Sequence, residues 1–135
     1  MNETMTALND TLYNLVGEAI TIQKELGDAH QEIVYHKMLL TRLRKACYKV
    51  DDRPKIKIRD EAGNVIKTYR PDIRVKDEDV HVLIEIKADP NGLQSSHRRQ
   101  VRAYLSVSPD DQAGLLVNFG EWPLGQERIY PRRNR

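Results

Sequence analysis

Asp72, Glu85 and Lys87 carry the residue types and the spacing for metal-assisted phosphoryl chemistry. Asp72-Ile73-Arg74-Val75-Lys76 alternates as a half-buried strand does, and Val80 to Lys87 is rich in branched residues. Asp77-Glu78-Asp79 lies between them as a turn. Ile73 and Val75 share one face of the first strand, and Val80, Val82, Ile84 and Ile86 share one face of the second. Both sets must meet the same core, because a slip of one residue would expose a whole set. Only pairs whose numbers sum to an odd value meet that condition. The tightest such hairpin has Glu78-Asp79 as its loop and sets Asp72 opposite Glu85, with Cβ atoms about 4.5–5.5 Å apart. Lys87 then falls on the same face, two residues further on. Adjacent carboxylates repel, and a divalent cation between them is one reason to keep them. Mg²⁺ takes oxygen ligands and keeps several waters. It polarises a phosphodiester and lowers the pKa of an attacking water, while a neighbouring ammonium stabilises the charge that builds up. The plain alternative is an ordinary surface hairpin. Leu83, on the face that carries Glu85, argues instead for an enclosed carboxylate.

The elements that must hold these residues follow from the pattern. Leu8, Leu12, Leu15, Val16, Ala19, Ile22 and Leu26 recur at helical steps, and Gly27-Asp28 closes that helix. A second helix is expected from about Gln31 to Tyr48, with Ile33, Val34, Met38, Leu39, Leu43 and Ala46/Cys47 as its apolar stripe. Lys55-Ile56-Lys57-Ile58-Arg59 and Val65-Ile66-Lys67-Thr68-Tyr69 read as a hairpin around residues 60–64. A third helix spans about Leu93 to Ser106. Leu115 to Phe119 reads as a buried strand, and Arg128-Ile129-Tyr130 as a short edge strand. The expected class is α+β, in one domain over residues 1–135 with a basic tail at about 131–135.

The 135 residues are 39% apolar and 31% charged, too apolar and too balanced in charge for a disordered chain. No apolar run reaches the roughly 18 residues of a membrane span. MNETMTALND is acidic and polar, which is unlike a secretory signal. The single cysteine, Cys47, leaves no intramolecular disulfide and reads as a small core residue; a reducing cytoplasm is the expected compartment. None of the four histidines has zinc-type spacing. Trp122 reads as a cover for the core edge, with stacking on a base as the alternative. The net charge of +2 divides into −5 over residues 1–32 and +7 over the rest. His97, Arg98, Arg99 and Arg102 form the densest internal cluster, the footprint expected of phosphate binding.

Pro71-Asp72 followed by Glu85-Ile86-Lys87 resembles the PD…(D/E)xK signature of the restriction-endonuclease-like nucleases. Lys24-Glu25-Leu26-Gly27 with Glu32-Ile33-Val34-Tyr35 resembles the opening of that superfamily's GxxExxY branch. Gln100 to Tyr104 matches the QxxxY element of RecB-like nucleases, and Leu116 to Gly120 is similar to the branch's late strand. Ala29 stands where the branch has its glycine, and Gln23 where it usually has histidine. The resemblance implies a three-layer α/β/α core with a mixed central sheet flanked by helices. It also implies a Mg²⁺ or Mn²⁺ ion held by Glu32, Asp72, Glu85 and the Ile86 carbonyl, with Lys87 as the catalytic lysine. Gln100 and Tyr104 would support the site or touch substrate. The reading that follows is a metal-dependent nuclease acting on nucleic acid, DNA first, with His97, Arg98, Arg99 and Arg102 on the backbone. Chain size alone suggests a homodimer or a larger complex. The alternatives are a nucleic-acid-binding or assembly module that keeps the fold without cutting, and a protein whose acidic first helix meets a basic surface in a homodimer.

Overall fold

The fold is that of a computed structural model, which describes residues 3–132. The basic tail expected at 131–135 therefore falls mostly outside the described residues. Two helices, α1 (Glu3–Leu26) and α2 (Glu32–Lys45), come first. Gly27 ends α1 with φ +82° and donates its N–H to the Gln23 carbonyl at 2.7 Å, the left-handed closure that glycine permits. Five strands follow: β1 (Lys49–Asp52), β2 (Ile56–Arg59), β3 (Val65–Tyr69), β4 (Ile73–Asp77) and β5 (Val80–Lys87). Helix α3 (Ser95–Ser106) then crosses over to β6 (Ala113–Asn118), and β7 (Gly125–Ile129) completes the sheet.

Five strands form one mixed sheet in the order β1-β4-β5-β6-β7. The β5–β6 pair is parallel and the other three are antiparallel. The residues of β5 that alternate across the sheet divide two cores. Val80, Val82, Ile84 and Ile86 pack against α1 and α2, around Leu12, Leu15, Tyr35 and Leu39. Leu83 packs on the opposite face with Val101, Tyr104 and Leu105 of α3. Gly114 of β6 makes the second contact close: a Cβ there would collide with Val101. The result is the expected α+β architecture, helices on both faces of a mixed sheet, consistent with a restriction-endonuclease-like fold.

The hairpin register is the one that side-chain parity dictates. Ile73 pairs with Ile84 and Asp77 with Val80, leaving Glu78-Asp79 as the loop, with Glu78 at φ +54°. Strands β2 and β3 form a separate two-stranded ribbon. Three expectations need correction. Helix α2 stops at Lys45, and the chain turns through Cys47 at φ +69° into β1, a strand that Lys49-Val50-Asp51-Asp52 did not announce. Cys47 is consequently exposed rather than core. Trp122 is 61% exposed and covers no core.

Candidate active site

Parallel pairing with β6 brings the carboxyl end of β5 into the middle of the sheet, where Glu85 is buried. Asp72 sits just before β4, beside it. The two acids exchange hydrogen bonds through the backbone: the Asp72 N–H donates to Glu85 Oε1 at 3.2 Å, and the Ile86 N–H donates to Asp72 Oδ2 at 2.7 Å. Each carboxylate thus spends one oxygen on the partner strand and keeps the other. Glu85 Oε2 is 3.6 Å from Lys87 Nζ. Asp72 Oδ1 faces His36 Nδ1 at 3.6 Å and Arg53 Nη1 at 4.0 Å.

Lys87 Nζ donates to Gln100 Oε1 at 2.9 Å, so α3 aims the ammonium group. Tyr104, one turn after Gln100, lies beside Glu85. Burial first, and then the Glu85 and Asp72 charges, push its phenol pKa up. Glu85 itself is pushed up to about 8, by burial first and then by the Asp72 charge; Lys87 pulls in the other direction. A buried carboxyl that resists ionisation beside a second carboxylate is a place where added positive charge is favoured.

The segment after β5 is pinned by side chains that sequence reasoning did not single out. Asn118 is fully buried. Its Oδ1 accepts from the Asp89 N–H at 2.8 Å, and its Nδ2 donates to the Asp89 carbonyl at 2.8 Å. The Phe119 N–H donates to the Lys87 carbonyl at 2.8 Å. Gly120 lies against this segment so closely that a Cβ would meet the Ala88 carbonyl carbon and the Asp89 nitrogen at 2.5 Å. His36 was also missed. It is buried on α2, and its Nε2 is 2.7 Å from Asp52 Oδ1. Its only sequence signal is a place four residues after Glu32, on the same side of the helix.

The other expected residues are placed less simply. Glu32 opens α2, is exposed, and makes no side-chain hydrogen bond or ion pair with a described residue. Among the described residues no group of three or more His, Cys, Asp or Glu side chains is gathered as a ready metal cage. The donors that do converge, the carboxylates of Asp72 and Glu85, are hard oxygens and suit Mg²⁺ or Mn²⁺. Arg98 is held by both oxygens of Glu127, each at 3.0 Å. His97 caps α3 by accepting the Gln94 N–H at 3.1 Å and lies 3.8 Å from Asp89. Arg99 and Arg102 instead line an open groove of about 840 Å³ with Pro109 and Arg132, apart from the carboxylates. The four basic residues expected to act as one cluster therefore divide among three tasks.

Comparison with known proteins bears on this arrangement. A family model described as the PD-(D/E)XK nuclease superfamily matches residues 9–129. A solved structure titled "Crystal structure of SSO0001" superposes with a TM-score of 0.57 at 20% identity, over 75% of this chain and 51% of that chain. At that identity the likeness concerns the fold, and the chain spans about half the length of that structure. No curated protein matches the chain. No helix among the described residues is long and apolar enough to cross a membrane.

Proposed function

Because the chain belongs to the PD-(D/E)XK nuclease superfamily, we propose that it is a metal-dependent nuclease that hydrolyses phosphodiester bonds, with DNA as substrate. The observation that carries this reading is the Asp72–Glu85 pair, held side by side at the end of β5 with Lys87 beside it. A bound Mg²⁺ or Mn²⁺ would polarise the phosphodiester and acidify an attacking water. Asp72, Glu85 and the Ile86 carbonyl would hold that ion from one side.

The chain's own residues do the rest. Lys87, steadied by Gln100, presents its ammonium group to the phosphoryl oxygens and stabilises the charge that develops there. Tyr104 closes the α3 side of Glu85 against water. On the α2 side, Glu32 would be the further carboxylate available to the ion, and His36 stands 3.6 Å from Asp72. Membership of the GxxExxY branch is supported by the role of its tyrosine. Tyr35 is fully buried, stacks on Phe119 at 4.3 Å between ring centroids, and donates its hydroxyl to the Gly27 carbonyl at 2.6 Å. The motif residues thereby join α1, α2 and the end of β6. We place the enzyme in the cytoplasm as a single domain that works as a homodimer or within a larger complex.

The direct test is incubation of single- and double-stranded DNA with the protein in Mg²⁺, Mn²⁺ or EDTA. Cleavage that requires metal and disappears in Lys87→Ala establishes the activity. Salt-sensitive binding without cutting establishes instead the non-cleaving module, a reading favoured by the exposed position of Glu32.

A further inference from the structure

The β2–β3 ribbon stands outside the main sheet and has one covered face and one bare face. Ile56 is buried in the α3-side core, and Tyr69, its register partner, meets the Tyr104 ring edge-on at 5.4 Å. By alternation, Lys55, Lys57, Arg59 and Arg70 project from the other side, with Thr68 opposite Lys57. All four cations are exposed, and none lies within ion-pair distance of a carboxylate among the described residues.

The ribbon is a shaped arm. Asp60 closes its turn, accepting the Ala62 and Asn64 N–H groups at 2.9 Å each and the Asn64 side-chain amide at 3.1 Å, with Gly63 at φ +87°. That turn ties the Asp60 carboxylate to the backbone, and Asp60 and Glu61 are the exposed acids of the tip, away from the cations at the root. The root is tied to the catalytic strand. Arg70 Nε donates to the Arg53 carbonyl at 2.9 Å, and the Arg53 N–H donates to the Asp72 carbonyl at 2.8 Å. Whatever the ribbon binds is therefore held at a fixed offset from Asp72.

We infer that the bare face of the β2–β3 ribbon binds the phosphate backbone of duplex nucleic acid and thereby presents a duplex, rather than a single strand, to the carboxylate site. This rests on the nuclease reading above. Three observations carry it. Along the bare face the unpaired charge is of one sign and recurs at every second residue from Lys55 to Arg59, about 6.6 Å apart, suited to a row of phosphates. A two-stranded ribbon is thin enough to enter a major groove. Single strands are typically gripped by stacking bases on aromatic rings, and the ribbon's one ring, Tyr69, is turned inward onto Tyr104.

The test measures binding, in EDTA, of the full chain to a short labelled DNA duplex and to its single strand across a salt series. The wild type should favour the duplex. Lys57→Gln/Arg59→Gln, both exposed positions, should weaken duplex binding about 10-fold or more near 50 mM salt and reduce the salt slope by nearly 2. An unaltered affinity and slope in this variant overturns the inference, as does a wild-type preference for the single strand. So does a loss confined to Arg99→Gln/Arg102→Gln, which would move the contact to the groove behind α3. Ribbon-dependent duplex binding with no metal-dependent cutting would leave the ribbon inference standing and remove the nuclease reading.

Discussion

Two polar clusters lie on the α3 face of the same hairpin, and they are built on opposite principles. Around Arg74 every charge is answered. Its guanidinium holds both oxygens of Asp111, and Ser108 hydrogen-bonds to the same carboxylate and to Arg74. Asp111 raises the Arg74 pKa above its ordinary value, chiefly through that hydrogen bond. Two residues earlier in the chain, Asp72 meets Glu85 instead of a cation, and Glu85 is driven towards its neutral form. One cluster is what a fold does with buried charge when stability is the only demand. The other keeps like charges together, a local cost that is offset only when something positive arrives.

Mutation should separate the two. Lys87→Ala or Asp72→Asn should lower metal-dependent cleavage by about 10²–10³-fold or more, and Asp72→Asn, which relieves the like-charge contact with Glu85, should keep the melting temperature at or above the wild type. Steady-state cleavage assays and thermal unfolding on the same samples check both halves. Asp111→Ala should do the reverse. It strands Arg74, whose side chain is 18% exposed, and should remove about 3–5 kcal/mol of stability in denaturant titrations, while activity per folded molecule persists. If Lys87→Ala unfolds the protein as readily as Asp111→Ala, the two clusters do the same job and the contrast fails.

A smaller effect comes from pH. The folded-state pKa of Glu85, about 8, lies above the ordinary glutamate value of 4.5. Its stabilising contribution is complete below the lower value and is lost as pH rises towards the upper one. In EDTA, the melting temperature should therefore fall by several degrees between pH 5 and 8, at about 2–8 °C per kcal/mol for domains near this size. Glu85→Gln should flatten that slope, and Mn²⁺ should restore the lost stability at the alkaline end by binding the folded form. The smallest effect sharpens the role of α3. Gln100→Ala releases the Lys87 ammonium and should cost about 10-fold in kcat with little change in KM.

The site was legible where its determinants are local. Alternation of apolar residues along 73–75 and 80–86 is enough to fix the register, and the register alone brings Asp72 to Glu85. The i, i+4 spacing of Gln100 and Tyr104 likewise sends both towards β5. What stayed hidden depends on partners far away in the chain. Nothing in Lys49-Val50-Asp51-Asp52 signals a strand, because β1 exists only by pairing with β4 at the sheet edge. Without β1, Asp52 has no reason to meet His36, and so the polar wall on the α2 side of the site could not be read. Arg98 looked like one of four free cations until β7 supplied Glu127. The same limit applies to Glu32: its spacing with Tyr35 suggests an inward face, but Tyr35 takes the interior position and Glu32 remains in solvent.

The bond from Phe119 to the Lys87 carbonyl, together with the Asn118 grip on Asp89, has a consequence for biosynthesis. Asp72, Glu85 and Lys87 leave the ribosome well before β6 does, yet the loop that follows Lys87 cannot be set until Asn118, Phe119 and Gly120 arrive. A nascent or truncated chain ending ahead of them carries all three side chains without the brace that holds the segment after the lysine. The strands made last are thus the ones that set the lysine, and the carboxylate site takes its final shape only as the sheet is completed.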